Sequence, residues 1–130
     1  MSTLSEEIRN RRAGVVSNPY QGSDKKVLFV CSMGILRSAT AARIYAKKYN
    51  TRSAGSWNDA LIPLTNTLMA WADEIVFVNH SNYVQVRDYF KDQGVLIDVE
   101  FNTRVLDIPD SYPHMDPMLI KAFEEQYEKV

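Results

Sequence analysis

The chain has 130 residues, 45% of them hydrophobic, a length that suits one domain with one substantial core and makes a second core unexpected. Fifteen Lys and Arg stand against sixteen Asp and Glu, for a formal net charge of −1, so no overall field recruits nucleic acid or an anionic membrane. One cysteine and two histidines exclude an internal disulfide framework and leave no visible metal cluster.

From the beginning of the chain, Met1 to Asn10 lacks the apolar centre of a signal peptide, and no apolar run approaches the roughly 18 residues of a membrane span. A soluble cytoplasmic protein is expected, with no membrane or nucleic-acid partner. Thr3 with Glu6 resembles a capping box, which predicts a short helix from Leu4 to about Arg12, followed by a turn and linker through Asn18-Pro19 and Gln21-Gly22-Ser23. Leu4, Ile8, Val15 and Val16 suit packing on the domain; Arg9, Arg11 and Arg12 offer the alternative of holding an anionic partner. Val27 to Val30 is a continuous apolar run, the pattern of a strand covered on both faces. From Ala39 the period changes, and Ala42, Tyr45, Ala46 and Tyr49 share one helical face.

The alternation then repeats. Thr51 to Ala54 is a strand candidate and Leu61 to Ala72 a helix. Glu74 to Asn79 is a second apolar strand, followed by a helix from Asn82 to about Asp92 that stops at Gly94. Val95 to Phe101 reads as a loop or a short extra strand. Arg104 to Ile108 is another strand, and Pro117 to about Glu128 the last helix, with Asp116 as its N-cap. Strands separated by helices imply an α/β fold: one three-layer domain with a central parallel sheet of about four strands flanked by helices. Ligands bind such sheets beyond the carboxyl ends of the strands, so Cys31, Ser53 to Trp57, Asn79 and Asp110 should gather at one edge.

The segment Cys31-Ser32-Met33-Gly34-Ile35-Leu36-Arg37-Ser38 joins the first core strand to its helix. A loop entering a helix presents unpaired N–H groups, and the helix dipole adds positive potential, so these residues are candidates to cradle a tetrahedral dianion. Arg37 adds a planar fork, and Gly34 admits backbone angles closed to other residues. The same donors favour the Cys31 thiolate, to which Ser38 could donate its hydroxyl. A lone cysteine at a strand end is commonly structural; Gly34, Arg37 and Ser38 at these offsets favour catalysis. Of three aspartates near the last strand, Asp116 is explained as a cap and Asp107 lies in or at the end of the strand. Asp110, on the loop beyond, is the candidate general acid, against the reading of Pro109-Asp110-Ser111 as a plain turn.

The Cys31-to-Ser38 loop directly after Val-Leu-Phe-Val resembles the phosphate-binding loop of the low-molecular-weight protein tyrosine phosphatases, and is nearest their short bacterial relatives, the predicted tyrosine phosphatases. The resemblance continues through Arg52-Ser53-Ala54-Gly55, Trp71 to Val78, and Val105 to Tyr112 with Met115-Asp116-Pro117, covering roughly residues 26 to 128. It implies a domain over residues 25–130 preceded by an extension over 1–24. It also matches Asp110 to the family's acidic residue and places Trp57 and Tyr112 as aromatic walls of a substrate slot, although both could equally be packing residues. Two departures stand out: Ser111 replaces the proline of the family's Asp-Pro-Tyr segment, and Gly34 replaces an asparagine that braces the loop. Ser53 is read as loop support by hydrogen bonding, and His80 and His114 as surface residues.

The expected activity is phosphomonoester hydrolysis in two steps, with a cysteinyl-phosphate on Cys31, Arg37 stabilising the equatorial oxygens, and Asp110 as acid and then base. No cofactor or metal is called for. The substrate would be a phosphotyrosine protein or a small phosphomonoester. Cys31-Ser32-Met33-Gly34 also resembles the phosphocysteine loop of sugar-phosphotransferase carrier domains, but a carrier gains nothing from an acid that hastens hydrolysis. An arsenate-reductase relay needs further cysteines, and this chain has none. A module that only holds phosphotyrosine would not need the nucleophile and acid.

Overall fold

A computed structural model describes residues 25–57, 59–92 and 102–130. The extension over residues 1–24, Gly94 and the ambiguous stretch from Val95 to Phe101 lie outside the described residues. Among those described, β1 (Lys26–Cys31), β2 (Asn50–Gly55), β3 (Glu74–Phe77) and β4 (Thr103–Val105) alternate with α1 (Arg37–Ile44), α2 (Asn66–Trp71), α3 (His80–Asp92) and α4 (Pro117–Gln126).

The apolar run Val27 to Val30 becomes the middle of the sheet because every one of its side chains finds cover. All four are fully buried. The four strands are parallel in the order β2-β1-β3-β4, with Val30 beside Ala54 on one flank and Phe77 on the other. Successive strand residues face opposite sides, and the core divides accordingly. Val27, Phe29 and Cys31 pack with Ala41 and Ala42 of α1, with Tyr45 just past its end, and with Leu119 and Phe123 of α4. Leu28 and Val30 pack with Leu68 of α2 and Tyr83 and Val86 of α3. This is the three-layer α/β arrangement that the alternating pattern implies. No helix among the described residues is long and apolar enough to cross a membrane.

Several boundaries differ from the sequence reading, each for a local reason. The helix expected from Leu61 begins only at Asn66, because Pro63 takes an extended bridge beside Gly55 and the Thr65 hydroxyl caps the helix by accepting from Leu68 N–H at 3.1 Å. Asn79 ends no strand; its Oδ1 accepts from Ser81 N–H at 3.0 Å and so starts α3. The fourth strand is shorter than Arg104 to Ile108, yet Leu106 N–H and Ile108 N–H still reach the carbonyls of Phe77 and Val78 at 2.8 and 3.0 Å. Asp116 caps α4 as expected, accepting from Met118 N–H at 2.8 Å, with Pro117 in the first turn.

At the amino end of the sheet, away from Cys31, an aromatic group ties the last helix down. Phe29 stacks on Tyr45 at 5.7 Å and meets Tyr127 edge-on at 5.8 Å. Tyr45 donates to the Glu128 carbonyl and Tyr127 to the Glu74 carboxylate. Burial pushes the Tyr45 and Tyr127 phenols well above their ordinary value of 10.0. The Glu128 carboxylate beside Tyr49 raises that phenol to about 12.

Candidate active site

In a 2-1-3-4 sheet the chain leaves β1 toward one edge and β3 toward the other, which opens a crevice at their carboxyl ends. The Cys31 loop lies there. Cys31 is the last residue of β1 and is 3% exposed. Its Sγ accepts the Gly34 N–H at 3.3 Å and lies 3.0 Å from Ser38 Oγ. Ser38 Oγ is also 3.4 Å from the Ala54 carbonyl, so this hydroxyl spans the sulfur and the end of β2. Ser53, expected to support the loop, sits one residue earlier in β2 opposite Phe29; the contact to the loop passes through its neighbour's carbonyl.

The loop backbone is wedged against β2. Gly34 has φ +84°, and a Cβ there would stand 2.9 Å from both Ala54 C and Gly55 N. Gly55 answers from the other side, since its own Cβ would fall 2.5 Å from the Ser32 carbonyl oxygen. Main-chain bonds complete the clasp: Ser56 N–H to the Cys31 carbonyl at 2.7 Å, Trp57 N–H to the Ser32 carbonyl at 3.1 Å, and Ile62 N–H to the Met33 carbonyl at 3.2 Å. Backbone pairing with the segment after β2 thus holds the loop on both sides of Gly34.

Arg37 opens α1 and is 3% exposed. Its Nη1 donates to the Ile108 carbonyl at 2.8 Å and its Nη2 to Ser32 Oγ at 3.1 Å. These two contacts fix the guanidinium plane and leave Nε buried without a hydrogen-bond partner. Asp110 Oδ1 is 3.6 Å from that Nε, an ion pair longer than a hydrogen bond, with the Asp110 side chain 56% exposed. Burying a donor with no hydrogen bond costs about 1–3 kcal/mol, a cost that an acceptor closer to Nε than Asp110 would remove. Cys31, Ser32, Met33, Ile35, Leu36, Arg37 and Asp110 line one cavity of about 50 Å³, which is on the scale of a small tetrahedral anion.

Asp107 is placed differently. Its N–H donates to Gln126 Oε1 at 2.7 Å and its carbonyl accepts from Gln126 Nε2 at 3.0 Å. The residue is pinned to α4 by its main chain and does not line the cavity.

The two aromatic candidates separate. Trp57 is 44% exposed and lines, with Ser56, Asp59, Gln85 and Tyr89, a hollow of about 370 Å³ beside the loop. Tyr112 is half-buried and packs against the core that contains Cys31 and Phe29. His80 and His114 are exposed, and His114 Nδ1 lies 3.4 Å from Thr40 Oγ1. Met115, at φ +61°, gives its N–H to the same hydroxyl at 2.8 Å, which holds the segment after Asp110 against α1.

Asn82 is the site residue that sequence reasoning did not find. It is fully buried in the first turns of α3 and donates to Ser32 Oγ at 3.2 Å and Ser56 Oγ at 3.0 Å. A polar residue near a helix start carries no local mark of this reach. Its one signal is a second asparagine three residues after Asn79, beyond what capping needs.

The chain matches no protein-family model, and neither a curated protein nor a solved structure matches it.

Proposed function

We propose that the protein is a cysteine-dependent phosphomonoester hydrolase of the low-molecular-weight tyrosine phosphatase type. One observation carries this reading: the only cysteine of the chain, a buried arginine with an open Nε–H, and an aspartate within ion-pair distance of that arginine line a single small cavity at the carboxyl end of the central strand. The phosphoryl group enters with its oxygens toward Arg37 and the loop N–H groups. It competes with Asp110 for the guanidinium. Cys31 Sγ then attacks phosphorus, the ester P–O bond breaks, and Asp110 in its acid form gives its proton to the departing oxygen. Gly34 N–H and Ser38 Oγ hold the sulfur before attack and receive it again as a leaving group. In the second step the Asp110 carboxylate takes a proton from water, which attacks the phosphocysteine and releases inorganic phosphate. Arg37 meets the charge on the equatorial oxygens in both steps.

The cavity wall favours a phosphate carried on an apolar or aromatic group, because Met33, Ile35 and Leu36 line it and Arg37 is its one lining cation among the described residues. A phosphotyrosine side chain fits that description. The test is turnover of an aryl phosphate with and without EDTA, followed by a screen of phosphotyrosine peptides and small phosphorylated metabolites. Activity that survives EDTA and disappears in Cys31→Ser supports the reading; substantial turnover by Cys31→Ser overturns it. A metabolite hydrolysed in preference to every peptide would keep the chemistry and reassign the substrate.

A further inference from the structure

Ser32 Oγ lies where two donors meet. Arg37 Nη2 reaches it at 3.1 Å and Asn82 Nδ2 at 3.2 Å. A serine hydroxyl has two lone pairs and one proton, so with both lone pairs engaged the proton takes the remaining direction. Among the described residues no acceptor receives it. Ser32 is 7% exposed and lines the cavity that Cys31, Arg37 and Asp110 share.

We propose that the Ser32 hydroxyl donates into this cavity, to an oxygen of the bound phosphoryl group, and that Asn82 is the positioning residue that turns it there. This goes beyond the loop's main-chain N–H groups, and it rests on the phosphatase reading above. The direction of the Asn82 amide is what matters. Ser56 Oγ gives its proton to Gln85 Oε1 at 2.6 Å and accepts from Asn82 at 3.0 Å, so the amide nitrogen faces both hydroxyls. The Asn82 Oδ1 is left buried without a partner, which is what an amide fixed by its nitrogen would show. A carboxylate in the same place would accept from Ser32 and draw the proton out of the cavity. Arg37 gains as well, because an Oγ held by Asn82 is a fixed acceptor for Nη2.

The test compares wild type, Ser32→Ala, Asn82→Asp and the double variant, with orthovanadate and inorganic phosphate as competing anions and an aryl phosphate as substrate. Ser32→Ala should weaken orthovanadate binding and lower kcat/KM by roughly 10- to 100-fold, the loss expected for one hydrogen bond to a charged group. Asn82→Asp should match it, and the double variant should be no worse than either single one, because both remove the same donor. Ser32→Thr, which keeps the hydroxyl, should recover most of the loss. An Asn82→Asp defect that persists undiminished in the Ser32→Ala background would reflect the new charge and overturn the positioning role. Should Asn82→Asp fail to fold, Asn82→Ala takes its place: it leaves Ser32 Oγ as the acceptor for Arg37 Nη2 while releasing the hydroxyl, so weakened orthovanadate binding supports the positioning role and wild-type binding overturns it. If wild type turns over substrate and Ser32→Ala stays within about twofold of it, the donor role falls and the phosphatase reading stands. If wild type binds phosphate through Ser32 without turnover, the donor stands and the phosphatase reading falls. If wild type neither binds nor reacts, both fall.

Discussion

Replacing Gly34 by alanine tests the wedge between the loop and β2. The residue has φ +84°, and the added Cβ would meet Ala54 C and Gly55 N at 2.9 Å and Ile62 Cβ at 3.0 Å. Two of these atoms are backbone of the strand next to the central one, so the usual escape of rotating a side chain is closed. A non-glycine residue in this backbone region costs about 1–3 kcal/mol, and forced overpacking about another 1–3 kcal/mol. The expected destabilisation is therefore about 2–6 kcal/mol by urea unfolding, a large part of the stability of a small domain. If the loop yields instead of the strand, the Gly34 N–H leaves Cys31 Sγ and the loss moves from stability to kcat. Both quantities must be measured on the same variant. A Gly34→Ala protein within about 0.5 kcal/mol of wild type, the usual range of a neutral surface change, and with unchanged turnover would refute the reasoning about this loop.

Asp110→Asn should reduce cleavage of a poor leaving group such as phenyl phosphate by about 10²–10⁴-fold and that of p-nitrophenyl phosphate far less, measured in pre-steady-state so that dephosphorylation does not mask the difference. Asp107→Asn, held on α4 through its main chain, should show no dependence on the leaving group; a dependence there would move the acid to Asp107. Arg37→Lys should lower kcat/KM by about 10²-fold or more, since one ammonium cannot hold the Ile108 carbonyl, Ser32 Oγ and the anion together; near-normal kinetics would remove the planar-fork argument. Tyr45, Tyr49 and Tyr127 titrate higher in the folded chain than their ordinary value of 10.0. Their contribution to stability is thus complete below pH 10 and lost as pH rises toward and past the value of about 12 for Tyr49. Urea midpoints that stay flat from pH 9 to 11 would contradict this.

What the sequence disclosed follows from the range of the signal. Val27 to Val30 is local and uniform, so burial on both faces could be read directly. Pro117 after Asp116 marks a helix start by chemistry within three residues. The start of α2 was misplaced because the apolar periodicity from Leu61 runs across Pro63; the tertiary bridge of Pro63 to Gly55 and the Thr65 cap outweigh that pattern. Asp107 and Asp110 were separable only in part. What divides them in space is Gln126, 19 residues from Asp107, which clamps the Asp107 main chain. Asn82 was illegible because its partner Ser32 is 50 residues away and the two meet only when α3 packs under the loop. The contact between Arg37 and Ile108, 71 residues apart, was hidden for the same reason.

The central claim is that Cys31 carries the phosphoryl group during turnover. Rapid quenching of the protein during its first contact with an aryl phosphate, followed by mass mapping of the peptide around residue 31, reads this directly. The account predicts a transient phosphoryl adduct on Cys31 that appears with the first burst of phenol, persists longer in Asp110→Asn, and is absent from Cys31→Ser. Aryl phosphate turnover with no adduct at Cys31 at any quench time, and with Cys31→Ser still active, would contradict it.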